Sequence, residues 1–409
     1  MKRSYAALLT SYLESFPCVA LLGVRQCGKT TLLHQLPSGW QHFDLERRAD
    51  YAVIAGDPDA FLRLYPRQVT FDEAQLLPEL FAALRVAIDD HRDERGRFII
   101  TGSSSPSLVR ALAESLAGRV AIIEMSPCSW AEVTETTDRD ALLPRLLDAQ
   151  ASPDDLIDGL GPRADVQTLH DFWFRGGFPE PWLHTKPSFR AQWIEQYIQT
   201  YLLRDVKRLF PALDDLRFRR FLEMLGGLSG RILNVAEVAR ALGVSQPTAR
   251  DYFDIAHGTF VWRTVPAFSR NVVKRVVKHP RGYLRDTGLL HALLRVPDLS
   301  ALLSHPQVGA SWEAMVVEEI LCQLNATGAA FDYSYYRTGG GAEVDLVIEG
   351  NFGRVAFEIK HASVVGTRDL RGLRDFVMEQ DARVGIVITN DVIPRRYSDK
   401  IIGLPMAWL

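Results

Sequence analysis

One eight-residue string constrains this chain more than any other feature: Gly23-Val24-Arg25-Gln26-Cys27-Gly28-Lys29-Thr30. It has the G-x-x-x-x-G-K-T spacing of a phosphate loop, the Walker A pattern. An apolar run, Cys18–Gly23, leads into it, and a helical stretch, Lys29–Leu36, follows. In that order, strand, glycine loop and helix let the main chain curl until several N–H groups face one anion. The helix N-terminus then adds its partial positive charge. The spacing assigns Gly23, Gln26, Cys27, Gly28, Lys29, Thr30 and Thr31 to an ATP cradle. Lys29 is expected at the β- and γ-phosphates, and Thr30 as a ligand of Mg²⁺.

The surroundings fit such a loop. Residues 1–16 carry apolar side chains at helical spacing (Tyr5, Leu8, Leu9, Tyr12, Leu13, Phe16), and Pro17 stops that helix. Short apolar runs at Cys18–Gly23, Gln41–Glu46, Gln68–Glu73, Arg97–Gly102 and Val120–Met125 read as strands, with helical material between most of them. That alternation predicts an α/β fold, a mostly parallel P-loop sheet flanked by helices. Val69-Thr70-Phe71-Asp72-Glu73 is a strand ending in two acids, a Walker B candidate. Asp72 is expected to support Mg²⁺ through a water, and Glu73 to polarise the attacking water. The strand at Phe98–Ile100 runs into Thr101-Gly102-Ser103-Ser104, whose hydroxyls, Ser103 among them, lie where ligands of open α/β sheets sit. The same Ser/Gly string also serves as plain turn chemistry. Arg119, after Gly118, is a candidate trans-acting finger for a neighbouring subunit's site, which would make the protein an oligomer.

A length of 409 residues suits several domains. The spacing of signals divides them as 1–127, an ATPase core; 128–216, a helical lid or connector; 217–304, a winged-helix-like unit; and 305–409, an α/β domain. With 47% hydrophobic and 24% charged residues, the composition is globular and excludes a long disordered chain. A net charge of −3 means that any nucleic-acid surface must be local. Four scattered cysteines form no CxxC pair, which disfavours a disulfide framework and suits the reducing cytoplasm. No apolar run is long enough for a membrane span.

In the middle unit, Asn234 caps a helix Val235–Leu242, Gly243 turns the chain, and Ser245 caps a second helix to about Ile255. Residues 259–265 and 272–277 are the expected strands of a wing. Between Phe260 and Arg285 there are seven basic residues (Arg263, Arg270, Lys274, Arg275, Lys278, Arg281, Arg285) and no acid. That is the footprint of a DNA contact, with Gln246, Thr248 and Arg250 toward a groove and Lys274 and Arg275 on phosphates. Winged-helix units also serve as protein–protein spacers.

In the tail, a helix Ser311–Leu324 precedes strands carrying Asp345 and Phe357-Glu358-Ile359-Lys360. Glu358 and Lys360 flank Ile359 and share one strand face, with Asp345 on the adjacent antiparallel strand. Two carboxylates and a lysine suit a Mg²⁺ site for phosphodiester hydrolysis, with Glu313 as a further partner. The arrangement resembles the D…E-x-K core of restriction-endonuclease-like nucleases, a fold that also survives as an inactive DNA-binding module.

Gly23–Leu33, Phe71–Gln75, Ile100–Ser105 and Ser115–Arg119, with Phe174–Pro179, Tyr201–Asp205 and Tyr283–Leu289, resemble a widespread prokaryotic group. In it an AAA-type P-loop ATPase is fused to a C-terminal domain of unknown function. The resemblance covers nearly the whole chain and implies an ATP-binding protein and ATPase. Together the readings describe a Mg²⁺-dependent ATP hydrolase acting on DNA with a nuclease-like tail. The alternative is a nucleotide-dependent switch or scaffold that recruits a protein partner and carries a dead tail.

Overall fold

The computed structural model describes residues 1–103, 112, 114–137, 140–184, 186–210, 213–269 and 279–409. They form two compact units. One is Lys2–Cys128 with Gly258–Phe260. The other is Ser129–His257 with Val261–Leu409, to which Met1 is assigned.

The first unit opens with α1 (Tyr5–Ser15), which ends two residues before Pro17. Its sheet holds β1 (Cys18–Gly23), β2 (Gln41–Asp44), β3 (Val69–Asp72), β4 (Phe98–Ser103) and β5 (Val120–Met125). The order is β2-β3-β4-β1-β5, and every pairing is parallel. Helices α2 (Lys29–Leu33), α3 (Arg48–Gly56), α4 (Pro58–Leu64) and α5 (Glu79–Asp89) form part of the connections. A strand covered on both faces is apolar throughout, which is why β1 is buried at every residue. Phe71, Phe81, Phe98, Ile100 and Leu84 pack with Ala20 and Leu22 in one core. Each large apolar side chain buried there stabilises the unit by about 1.5–3 kcal/mol.

In the second unit two of the segments that carry the family resemblance, Phe174–Pro179 and Tyr283–Leu289, come together. Phe174-Arg175-Gly176-Gly177 closes α6 (Val166–Arg175), and Asp286 caps α10 (Thr287–Leu293). The two meet directly. Asp286 accepts the Leu289 and Gly177 amides, both at 2.8 Å. Gly176 has φ of +77°, and a Cβ there would lie 2.5 Å from the Asp286 carboxylate. A Cβ on Gly288 would lie 2.2 Å from the Arg175 carbonyl oxygen. Backbone cannot yield as a flexible side chain does, so Gly288→Ala should lower unfolding stability by about 2–4 kcal/mol in a denaturant titration. A loss under about 0.5 kcal/mol would mean that this docking does not hold the unit together.

Close by, a neutral histidine joins three helices. His291 Nδ1 lies 3.0 Å from the Phe174 carbonyl, and Nε2 lies 2.6 Å from Ser311 Oγ, which also accepts Trp173 Nε1–H at 2.9 Å. Burial drives His291 down to about 3. Its ring therefore donates at Nδ1 and accepts the serine hydroxyl at Nε2.

Next come α7 (Asp215–Leu228), β6 (Arg231–Ile232), α8 (Val235–Leu242), α9 (Gln246–Gly258), β7 (Trp262–Val265) and β8 (Arg281–Leu284). The strands form an antiparallel sheet in the order β6-β8-β7. As read from sequence, Asn234 accepts the Glu237 amide, and Gly243 takes a left-handed φ of 65° at the end of α8. The strand expected at 272–277 lies outside the described residues, and the partner of β7 is Arg281–Leu284 instead.

The tail runs α11 (Val308–Thr327), β9 (Phe331–Arg337), β10 (Glu343–Gly350), β11 (Gly353–Lys360), α12 (Arg371–Glu379), β12 (Val384–Thr389), β13 (Arg395–Ser398) and β14 (Ile401–Pro405). The sheet order is β13-β14-β12-β11-β10-β9. β9, β10 and β11 form an antiparallel meander, and α12 crosses over to the parallel β12. Among the described residues no helix is long and apolar enough to cross a membrane.

Candidate functional sites

The phosphate loop has the curl its sequence demands. Gln26 and Gly28 take positive φ values of 67° and 97°, and Gly28 stands immediately before α2. Gly23 is sterically required, since a Cβ there would lie 2.2 Å from the Met125 carbonyl oxygen. Lys29 is buried, and its ammonium donates to the Gly23 and Val24 carbonyls at 3.0 and 3.1 Å. The ammonium is thus folded onto the mouth of its own loop. Thr30 Oγ1 donates to Asp72 Oδ2 at 2.5 Å, which joins the loop to the end of β3.

The other oxygen of Asp72 is used too. It accepts the Thr101 hydroxyl and, at 3.2 Å, the Glu73 amide. The register explains the meeting: Phe71 pairs with Ile100 and Leu21 with Thr101, so Asp72, the next residue after Phe71, stands level with Thr101. Glu73 has φ of 54° and ψ of 45°, a left-handed conformation that is strained for a side-chain-bearing residue. Its carboxylate accepts a hydrogen bond from Gln75.

Sequence reasoning missed two participants, Gln75 and Arg3, and did not single out Thr101 among the hydroxyls of its string. Thr101 is two residues upstream of the proposed Ser103, whose side chain lies outside the described residues. Gln75 holds Glu73. Arg3, itself buried, donates to the Cys27 carbonyl in the loop and to the Ser126 carbonyl at 2.7 Å, bracing the loop from beneath. The alternation of β4 could have pointed to Thr101. Nothing local pointed to Arg3.

Arg119 lies away from this cradle. It directly precedes Val120, which pairs with Cys18 at the start of β1, whereas the loop follows Gly23 at its end. Five strand steps separate the two levels by about 16 Å. Arg119 makes two 2.8 Å hydrogen bonds to Asp89, and these draw the Asp89 carboxyl down to about 2. Any catalytic role for Arg119 therefore requires another chain's nucleotide.

In the second unit the structure brings Glu313, Asp345, Glu358 and Lys360 together. Asp345 Oδ2 accepts the Ile359 amide at 2.9 Å. The β10–β11 ladder begins one residue later, at Leu346–Phe357. Lys360 Nζ lies 2.7 Å from Glu358 Oε1. Burial and then the Asp345 charge push both the Glu313 and the Glu358 carboxyls upward. Burial works against the Lys360 ammonium, yet Asp345 and Glu358 keep it above its ordinary value. Among the described residues no three His, Cys, Asp or Glu side chains stand close enough to hold a metal ion.

The basic stripe requires a correction. Arg263, Arg281 and Arg285 are 4%, 4% and 8% exposed and face inward. Arg263 and Arg285 share Glu318, and Arg281 meets Glu313 and Asp345. Their acidic partners lie on α11 and in the tail, so a local count of charge could not see them. Arg270, Lys274, Arg275 and Lys278 lie outside the described residues. At the start of α9, Gln246 and Arg250 are exposed, while Thr248 is half-buried and its hydroxyl is tied to Ser245 at 2.8 Å.

A five-stranded parallel sheet with a glycine loop at its strand ends defines the first unit as an AAA-type P-loop domain, the nucleotide-binding unit of an ATPase. The AAA domain family matches residues 15–134. Two domains of unknown function, DUF8612 and DUF4143, match residues 166–300 and 308–409. The chain is 35% identical over 410 residues to the uncharacterized protein Rv2008c of Mycobacterium tuberculosis and to Mb2031c of Mycobacterium bovis. The match spans 99% of this chain and 83% of each relative. It belongs to their family. Among solved structures, the Walker-type ATPase PABY2304 of Pyrococcus abyssi is similar at 15% identity and a TM-score of 0.42, over 71% of this chain and 94% of that one. The Thermotoga maritima RuvB Holliday junction branch migration motor is similar at 19% and 0.31, over 64% and 89%.

Proposed function

We propose that this protein is a Mg²⁺-dependent ATP hydrolase that acts on DNA. The observation that carries the nucleotide chemistry is the Thr30–Asp72 hydrogen bond at 2.5 Å, with Lys29 at the same loop. Thr30 and Asp72 are the residues that would hold Mg²⁺, and the strained end of β3 suits that role. Bound there, Mg²⁺ supplies charge neutralisation at the phosphates. The main-chain amides of Gln26, Cys27, Gly28, Lys29, Thr30 and Thr31 cradle the anion, and Lys29 turns from its carbonyls to the β- and γ-phosphates. Glu73 orients the attacking water. Ser103 lines the γ-phosphate side, and Arg119 acts on a neighbouring copy in an oligomer.

The DNA reading rests on the helix–strand order of residues 215–284, which suits a winged helix. Gln246, Thr248 and Arg250 lead α9 there, and Lys274 and Arg275 fall in the sequence between β7 and β8, outside the described residues. With three arginines of the stripe turned inward, those residues carry the contact. The tail's helix, antiparallel meander and crossover suit a nuclease-like fold, in which Asp345 and Glu358 would hold Mg²⁺ with Lys360 and Glu313 beside them. One observation favours a second reading, a nucleotide-dependent scaffold with an inert tail that binds a protein partner: Arg281 already sits among the tail carboxylates.

Turnover of ATP measured with and without duplex, junction and single-stranded DNA separates the readings. The DNA reading predicts stimulation by at least one of them and an affinity that falls steeply with salt as counterions are released. Turnover indifferent to all three, with no salt-dependent DNA binding, would favour the scaffold.

A further inference from the structure

A cleft of about 210 Å³ opens in the second unit between helices. One wall is the end of the helix Pro187–Tyr197 and the π-helix Ile198–Asp205 that continues it. The second wall is α7, and the third is the C-terminal end of α10, with Arg295 just beyond it. Gly226 lets the last two close up: a Cβ there would lie 3.2 Å from Leu294 Cδ2. Two local features single the cleft out. π-helices are rare and recur at functional sites. Arg295 holds a left-handed φ of 57°, a strained conformation for a residue with a side chain. The floor is apolar, made by Leu203, Leu222 and Leu293. On one side a hydrogen-bond chain is already closed: Arg219 Nη2 donates to Gln199 Oε1 at 2.7 Å, and Gln199 Nε2 donates to Glu195 Oε1 at 2.9 Å. Glu223 and Arg295 line the same cleft, yet they form no ion pair with each other. Neither side chain has a hydrogen-bond partner among the described residues.

We propose that this cleft binds a small dipolar molecule, an α-amino acid with an apolar side chain: its ammonium on Glu223, its carboxylate on Arg295 and its side chain on the leucine floor. Charge complementarity sets the class. A carboxylate and a guanidinium that line one cleft without reaching each other are both satisfied by a molecule carrying the opposite charge at each end, through charge-assisted hydrogen bonds. A singly charged ligand leaves one of them unmatched. Size sets the upper limit, because the volume falls below the about 300–1,000 Å³ of clefts that take drug-sized ligands. The floor selects the side chain, since three leucines offer a buried polar group no partner. Arg219 and Glu195 are tied through Gln199 and do not compete for the ligand. The site lies wholly within the second unit and depends on neither the nucleotide nor the DNA reading.

Saturation-transfer NMR of L-leucine with the full, nucleotide-free chain tests this. Saturable binding with a Kd of about 0.1–1 mM is expected for a ligand of this size. Two matched probes each lack one charge: leucinamide has no carboxylate, and 4-methylpentanoate has no ammonium. Each should bind the unaltered chain at least about fivefold more weakly than L-leucine. The substitutions then sort the contacts. Arg295→Gln should abolish the preference for L-leucine over leucinamide, and Glu223→Gln the preference over 4-methylpentanoate. Both positions are exposed, and circular dichroism checks that each variant is folded. The comparison of the three probes needs no variant, so it stands if one fails to fold. An L-leucine signal that is absent or does not saturate overturns the proposal. So does equal binding of the three probes, or a preference that survives its matched substitution.

Discussion

Glu73→Gln is expected to leave Mg²⁺–ATP binding within about twofold of the unaltered protein while cutting phosphate release about 10²–10³-fold. The amide keeps the size and the hydrogen bond to Gln75 but cannot accept a proton from water. The residues proposed to meet the phosphates and Mg²⁺ are Lys29, Thr30 and Asp72, whose side chains the substitution leaves unchanged. The left-handed backbone at Glu73 is shared by both side chains, so the strain cancels from the comparison. Steady-state phosphate release and a nucleotide titration on the same preparation provide the check. Turnover that survives would remove Glu73 from water activation and leave the protein's catalysis to Mg²⁺ and the loop.

Glu318→Ala should destabilise the second unit by about 3–5 kcal/mol, with a melting temperature lower by on the order of 10 °C. Glu318 is 8% exposed and serves two buried arginines. Arg263 and Arg285 each donate to its Oε2 at 3.1 Å, and Arg263 Nε bonds the other oxygen. Truncation removes the carboxylate these guanidinium groups share while they stay out of water. Replacing all three residues with methionine should cost much less, because the charges then leave together. A single variant as stable as the unaltered chain would contradict a buried network at this point.

The phosphate loop was legible because its chemistry is local: strand, glycine turn and lysine fall within thirteen residues, Cys18–Thr30. The five parallel strands were legible for the same reason, and their bounds differ from expectation by at most two residues. In the tail, alternation at Glu358 and Lys360 placed both on one face, and the meander brought Asp345 to them. What escaped was set by distant partners. The seven-residue basic stripe looked like a surface because no acid stands near it in sequence, whereas Glu318 lies 55 residues from Arg263. The Gly177 amide is held by the carboxylate of Asp286, 109 residues away. Arg3 reaches Ser126 across 123 residues. Long-range polar pairing leaves no periodicity to read.

All of these roles depend on the cradle that begins at Gly23. Calorimetric titration of the purified chain with ATP and Mg²⁺, beside Lys29→Ala, tests it most directly. Saturable uptake of one nucleotide per chain, weakened at least about tenfold by the substitution, is the expected result. Absence of saturable uptake by the unaltered chain, or equal uptake by Lys29→Ala, would contradict it.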